Sequence, residues 1–184
     1  MSKLVIVIDM QNDFINGSLG SEDAQKIVPK AITAIEHYSR DPDSQIQVTL
    51  DWHDEDYPST LEGKLLPTYH CMVGTEGYSL NEDIAKAIKK NYNDSVIWYA
   101  TKSTFGYNWF RQFGQDSFSE IVIFGLCTDI CVVSNALILR AAYPNTPIKC
   151  LAYCCAGTNM YAHECALQVM ESCQIEVIRE EGEY

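Results

Sequence analysis

Three residues of different chemistry each follow an apolar run. Asp9 comes directly after LVIVI, Lys102 two residues after SVIWYA, and Cys131 a short turn after IVIF. A thiol at the start of a helix faces free backbone N–H groups and the positive end of the helix dipole, which favour its thiolate and make it a nucleophile. A carboxylate and an ammonium beside it would move a proton and hold charge. Taken singly, each residue has a plainer reading: a buried structural cysteine, a turn-capping aspartate, a solvated lysine. A second set of residues has the chemistry of metal ligands. In Asp51-Trp52-His53 the carboxylate and the imidazole fall on the same side of an extended chain and can meet one cation. Glu62 and His70 follow in a stretch, residues 54–77, that has no periodicity and holds Pro58, Gly63, Pro67, Gly74 and Gly77. A loop this long inside a compact domain is more often functional than idle.

The elements that must position these residues alternate. Leu4–Ile8 and Ile121–Phe124 are continuous apolar runs, the pattern of strands buried on both faces. Gly125 is expected to stop the second, and Thr128 and Asp129 to cap the helix that follows, which ends near Tyr143. A helix is predicted from about Glu22 to Tyr38 with Ser21 as its cap, and another over Leu80–Asn91. Gln45–Leu50, Ser95–Ala100, Ile148–Tyr153 and Gln174–Ile178 complete six strands, with a short aromatic helix at Gly106–Phe113 and a last helix near Tyr161–Ser172. Such alternation predicts an α/β fold, a mostly parallel six-stranded sheet with helices on both faces. Asp9, Lys102 and Cys131 then meet at the carboxyl edge of that sheet, where open α/β sheets bind ligands.

Composition removes several classes. A length of 184 residues, 47% hydrophobic and 21% charged, predicts one globular domain spanning 1–184 rather than a disordered chain. A net charge of −12 argues against nucleic acid or an anionic membrane as a partner. No apolar run approaches the roughly 20 residues of a membrane span, and the opening LVIVID is too short for a signal-peptide core. The eight cysteines are therefore expected to be reduced thiols in a cytoplasm, and they lack the paired C-x-x-C spacing of a structural zinc site.

Five segments carry a resemblance. VIDMQNDF (7–14), DWH (51–53), HCMVGTEG (70–77), KSTF (102–105) and GLCTDICV (125–132) make the chain similar to the isochorismatase-like cysteine hydrolases, and among these to the nicotinamidases and pyrazinamidases. The resemblance spans nearly the whole chain. It implies a doubly wound fold and a catalytic triad of Asp9, Lys102 and Cys131. It also implies a cis peptide at Leu126–Cys127, with the backbone N–H groups of Cys127 and Cys131 as oxyanion hole. The same likeness implies a divalent cation, zinc, manganese or iron, held by Asp51, His53 and His70, with Glu62 in place to join them. Phe14 resembles the aromatic residue that stacks on the pyridine ring of nicotinamide. Relatives often carry a Trp in W-P-P-H-C ahead of the second metal histidine. Here the segment reads LLPTYHC, so Leu66 or Tyr69 is expected to fill that wall. Family members often self-associate, which makes a homo-oligomer an expectation. Rival readings are another small-amide hydrolase, of carbamoyl or ureido type, a non-catalytic protein on the same fold, and a structural zinc protein whose ligands only pin the loop. Cys127, four residues before Cys131, raises a further expectation, an oxidisable thiol pair.

Overall fold

A computed structural model describes residues 2–93, 96–111, 113–114 and 117–182. Six strands form one parallel sheet in the order β3-β2-β1-β4-β5-β6: β1 Ser2–Ile8, β2 Gln45–Asp51, β3 Ile97–Lys102, β4 Phe118–Leu126, β5 Ile148–Ala156 and β6 Glu176–Ile178. The chain winds outward in both directions from β1 and β4, so their carboxyl ends flank the place where the strand order reverses. Leu4 to Ile8 and Ile121 to Phe124 have no exposed surface, as their unbroken apolar runs require.

The long helices follow their sequence signals. Helix α2, Glu22–Tyr38, begins where Ser21 accepts from the Ala24 N–H, and buries Ile27, Ala31, Ala34, Ile35 and Tyr38. Helix α4, Glu82–Asn91, starts two residues later than the apolar pattern suggests, because Asn81 accepts from the amides of Asp83 and Ile84 and so fixes the first turn. Helices α5 (Val133–Ala142) and α6 (Met160–Ser172) complete the cover.

Several local expectations are corrected. Gly125 does not end β4, which continues to Leu126. Its φ is +135°, and a Cβ there would stand 2.0 Å from the Ile8 carbonyl oxygen, so glycine lets β4 pass close against the end of β1. Thr128 and Asp129 do not cap the next helix: Cys127 is its N-cap without a side-chain bond, and residues Thr128–Val132 form a wide π-helical turn ahead of α5. Thr128 instead bonds the His163 ring at 2.8 Å, and Asp129 accepts from the Thr158 backbone and hydroxyl. Among its described residues the aromatic segment 106–113 contains a 3-10 turn only at Trp109–Arg111. Two short helices without a readable period, α1 (Asn12–Ile15) and α3 (Leu61–Leu65), lie in the loops after β1 and β2. Ser95, the expected first residue of strand three, lies outside the described residues. Among the described residues no helix is long and apolar enough to cross a membrane.

Replacing Gly125 by Ala is expected to cost at least about 3 kcal/mol, because both the positive φ and the Ile8 carbonyl oppose a side chain. Denaturant unfolding against the wild type measures it, and a midpoint unchanged by the substitution contradicts this account.

Candidate active site

The ends of β1, β2 and β3, the long loop after β2 and the turn after β4 bring seven functional candidates together. Asp9, the residue after β1, has no exposed surface and φ +48°, a left-handed conformation that aspartate tolerates better than most residues. Its Oδ1 accepts from the Thr49 hydroxyl at 2.7 Å, and its Oδ2 stands 2.6 Å from Lys102 Nζ. Lys102, the last residue of β3, also reaches Asp51 Oδ1 at 3.4 Å and Cys131 Sγ at 3.5 Å. Three distant segments therefore place carboxylate, ammonium and thiol within contact, all of them buried.

The neighbouring cluster holds the other four. Asp51 Oδ2 lies 3.1 Å from His53 Nε2 and 3.5 Å from His70 Nε2. Glu62 Oε1 is 3.9 Å from His53 Nε2 and 3.6 Å from His70 Nε2. The ligand atoms of Asp51, His53 and His70 all fall within 4.8 Å of one another. The donor set suits a divalent cation, since it pairs imidazole nitrogens with carboxylates. The tautomer also fits. His70 Nδ1 lies 2.8 Å from the Thr68 carbonyl, which can only accept, so Nδ1 carries a hydrogen and in the neutral ring Nε2 is the nitrogen left for a cation.

Local contacts explain why an irregular loop holds these ligands in place. Tyr57 is buried, packs on the His53 ring at 4.6 Å and the His70 ring at 5.2 Å, and donates to the Leu66 carbonyl at 2.8 Å. Thr60 caps α3 by accepting from the Gly63 amide, and a Cβ on Gly63 would meet the Tyr57 carbonyl at 2.1 Å. That close approach sets Glu62 opposite the histidines. Asp13 accepts from the Cys71 amide at 2.8 Å, which joins the first loop to the metal-ligand loop. Gln11, with no exposed surface, clamps Asp51 by accepting from its N–H at 2.7 Å and donating to its carbonyl at 2.9 Å.

The charges depend on burial and on close partners. Burial drives Lys102 toward losing its proton, but Asp9, Cys131 and Asp51 reverse this and keep it charged. Burial and the nearby Asp51 raise Asp9 above the usual carboxylate range despite Lys102, which makes it a stronger proton acceptor. Cys131 departs from the sequence expectation of an easily lost proton. Burial and the Asp9 charge push its thiol up, and Lys102 only partly opposes them. Burial also pushes Cys127 up, to about 12. Burial lowers His70, but bonds to Asp51 and Glu62 outweigh it and bring the ring to about 10. Two carboxylates facing two imidazoles thus attract positive charge, and a proton on His70 meets part of that demand.

Phe14, Leu66, Cys127 and Cys131 line a cleft of about 260 Å³ that also touches Asp51, Glu62 and His70. The Phe14 ring lies 5.6 Å from that of His70. Tyr69 is not on this cleft. It is 56% exposed and turns outward against Tyr57, so of the two residues expected at the wall only Leu66 is there. Leu65, Phe105 and Ile130 complete the lining and have no sequence signal that separates them from ordinary surface or core residues. Phe105 does stand in the KSTF segment, three residues after Lys102. The peptide Leu126–Cys127 is cis, as the resemblance implies.

The isochorismatase domain family matches the chain over residues 3–182. A relative from Bacillus subtilis (strain 168), described as an uncharacterized isochorismatase family protein, PncA, is 27% identical over 143 residues, 74% of this chain and 78% of that protein. Among solved structures, the nicotinamidase/pyrazinamidase PncA from Bacillus subtilis superposes with a TM-score of 0.82 at 27% identity, covering 97% of this chain and 100% of that one. A pyrazinamidase/nicotinamidase from Streptococcus mutans UA159 gives 0.80 at 27%, covering 96% and 99%. The pyrazinamidase of Pyrococcus horikoshii in complex with zinc gives 0.72 at 24%, covering 97% and 99%, and supports the fold.

In metal-free protein, alkylation of Cys131, followed by peptide mass, is expected to rise only above the ordinary thiol range of pH. Asp9→Asn, which removes the negative neighbour, should move that profile to lower pH, and Lys102→Met should move it higher. A wild-type thiolate already present at neutral pH contradicts the account.

Proposed function

The chain belongs to the isochorismatase family, and from this premise we propose that it hydrolyses the amide of a small aromatic ring, nicotinamide or a close analogue, to the acid and ammonia. One observation carries the reading: Lys102 Nζ is within 3.5 Å of Asp9, Asp51 and Cys131, and of these Asp51 and Cys131 line a cleft whose other walls are largely apolar. Phe14, Leu65, Leu66, Phe105 and Ile130 suit the faces of a planar ring.

Asp9 takes the proton of Cys131 as Sγ attacks the amide carbon, while Lys102 holds the charge of both groups. The N–H groups of Cys127 and Cys131 donate to the oxyanion of the tetrahedral intermediate, where loss of one such donor typically costs about 3 kcal/mol of barrier. The carbon–nitrogen bond breaks as Asp9 passes its proton to the amine, which leaves as ammonia. An acyl thioester remains on Cys131. Asp9 then takes a proton from water, whose oxygen attacks the thioester carbon, and returns it to the departing sulfur.

Asp51, His53, Glu62 and His70 would hold the divalent cation, which when bound supplies a Lewis-acid partner for the ring nitrogen of such a substrate. Of these, Asp51, Glu62 and His70 line the cleft, so a cation held there would draw that nitrogen to their side.

Ammonia release from nicotinamide and pyrazinamide is expected from wild type. Cys131→Ala should abolish it, and Asp9→Asn should lower it by about a thousandfold or more. Equal rates for wild type and Cys131→Ala contradict the mechanism. Equilibrium dialysis should find one divalent ion per chain, with binding weakened in His53→Ala and His70→Ala and, by about tenfold, in Glu62→Gln. Undiminished binding in all three would remove the cluster from consideration as the metal site.

A further inference from the structure

We infer that Asn135 is a positioning residue that couples the backbone of Cys131 to the wall of the cleft; the inference rests on the amide-hydrolysis reading for its kinetic readout but not for its geometry. Asn135 lies one turn after Cys131 and has no exposed surface. Its Nδ2 donates to the Cys131 carbonyl at 2.8 Å and to the Phe105 carbonyl at 3.3 Å. Its Oδ1 accepts from the Tyr107 backbone N–H at 2.9 Å and from Trp109 Nε1 at 2.9 Å. The orientation is unique, since the two carbonyls can only accept and the two N–H groups can only donate. All the hydrogen-bonding capacity of the amide is therefore used, and no other side chain provides this pattern at such a length.

Three of the four partners lie in residues 105–109, the segment that leaves β3 just after Lys102 and carries Phe105 to the cleft. Phe105 is 48% exposed and has little packing of its own to hold it. Next to it Gly106 packs on α5, where a Cβ would stand 2.4 Å from the end of the Ile138 side chain, which would have to turn aside. The amide thus ties the Cys131 peptide on one side and the ring wall on the other. It touches neither the thiol nor the cleft, so it acts through Cys131 and Phe105.

Two substitutions separate the halves. Asn135→Asp keeps the acceptor for Tyr107 and Trp109 but sets an oxygen against both carbonyls. It should lower kcat by about tenfold or more and slow Cys131 alkylation at fixed pH. Asn135→Thr keeps a donor for the carbonyl four residues back but loses Tyr107 and Trp109. It should raise KM several-fold, with kcat and alkylation close to wild type. If both variants keep wild-type kcat and KM, or lose activity only in proportion to the folded fraction seen in thermal unfolding, the inference is overturned. Should neither fold, Trp109→Phe removes the Nε1 bond together with some buried ring volume, and an unchanged KM there overturns the coupling to the wall. If wild type releases no ammonia from any amide, the function falls, while the alkylation rates still decide the Cys131 half.

Discussion

A buried ammonium organises this molecule's chemistry. Lys102 Nζ lies 2.6 Å from Asp9, 3.4 Å from Asp51 and 3.5 Å from Cys131, and so belongs to the thiol site and to the metal-ligand cluster at once. A charge removed from water is tolerated only when its partners are close and well aimed. Here the partners come from β1, from the end of β2 and from the turn after β4, and the sheet must bring all three to one edge. Once Lys102 is fixed, the rest follows. Asp51 is oriented with one oxygen toward the ammonium and the other toward His53 and His70. Asp9 is held between Lys102 and the Thr49 hydroxyl. Burial raises Asp51, but bonds from His53 and His70 with the charge of Lys102 outweigh it and hold the carboxyl well below its ordinary range. It therefore stays ionised, as a ligand for a cation must.

The strands and the long helices were readable because their physics is local and periodic. Leu4–Ile8 and Ile121–Phe124 are apolar without interruption, and Ser21 announces α2. Asp9, Lys102 and Cys131 were legible because each ends or follows such a run. The metal cluster was half legible. Asp51 and His53 share a side by strand geometry, but Glu62 rides on a five-residue helix that exists because Thr60 caps it and Gly63 fits under Tyr57. No period reports a helix so short. The same irregular loop made Leu66 and Tyr69 equivalent on paper, and only the Tyr57–Leu66 hydrogen bond decides which one faces the cleft.

The thiol shows where local reasoning misleads. Position at a helix start argues for a depressed pKa, but that argument takes no account of solvent. In the folded chain Cys131 is 5% exposed and faces the Asp9 carboxylate, and both facts favour the protonated form. In the proposed reaction the raised Asp9 beside it would take the thiol proton as the sulfur attacks. Asn135 was missed for a related reason. It sits in an apolar helical run, where a lone Asn reads as a surface residue, and three of its four partners are 26 to 30 residues away in sequence.

The parallel topology has a consequence for how the protein matures. Asp9 and Cys131 come from opposite parts of the chain, and every pairing in the sheet joins strands that are not hairpin neighbours. The thiol, the ammonium and both carboxylates span residues 9 to 131, and no shorter segment contains all four. Contacts of such long range also form slowly. A cation captured by the completed cluster would then act as a latch, favouring the finished molecule over its precursors by mass action.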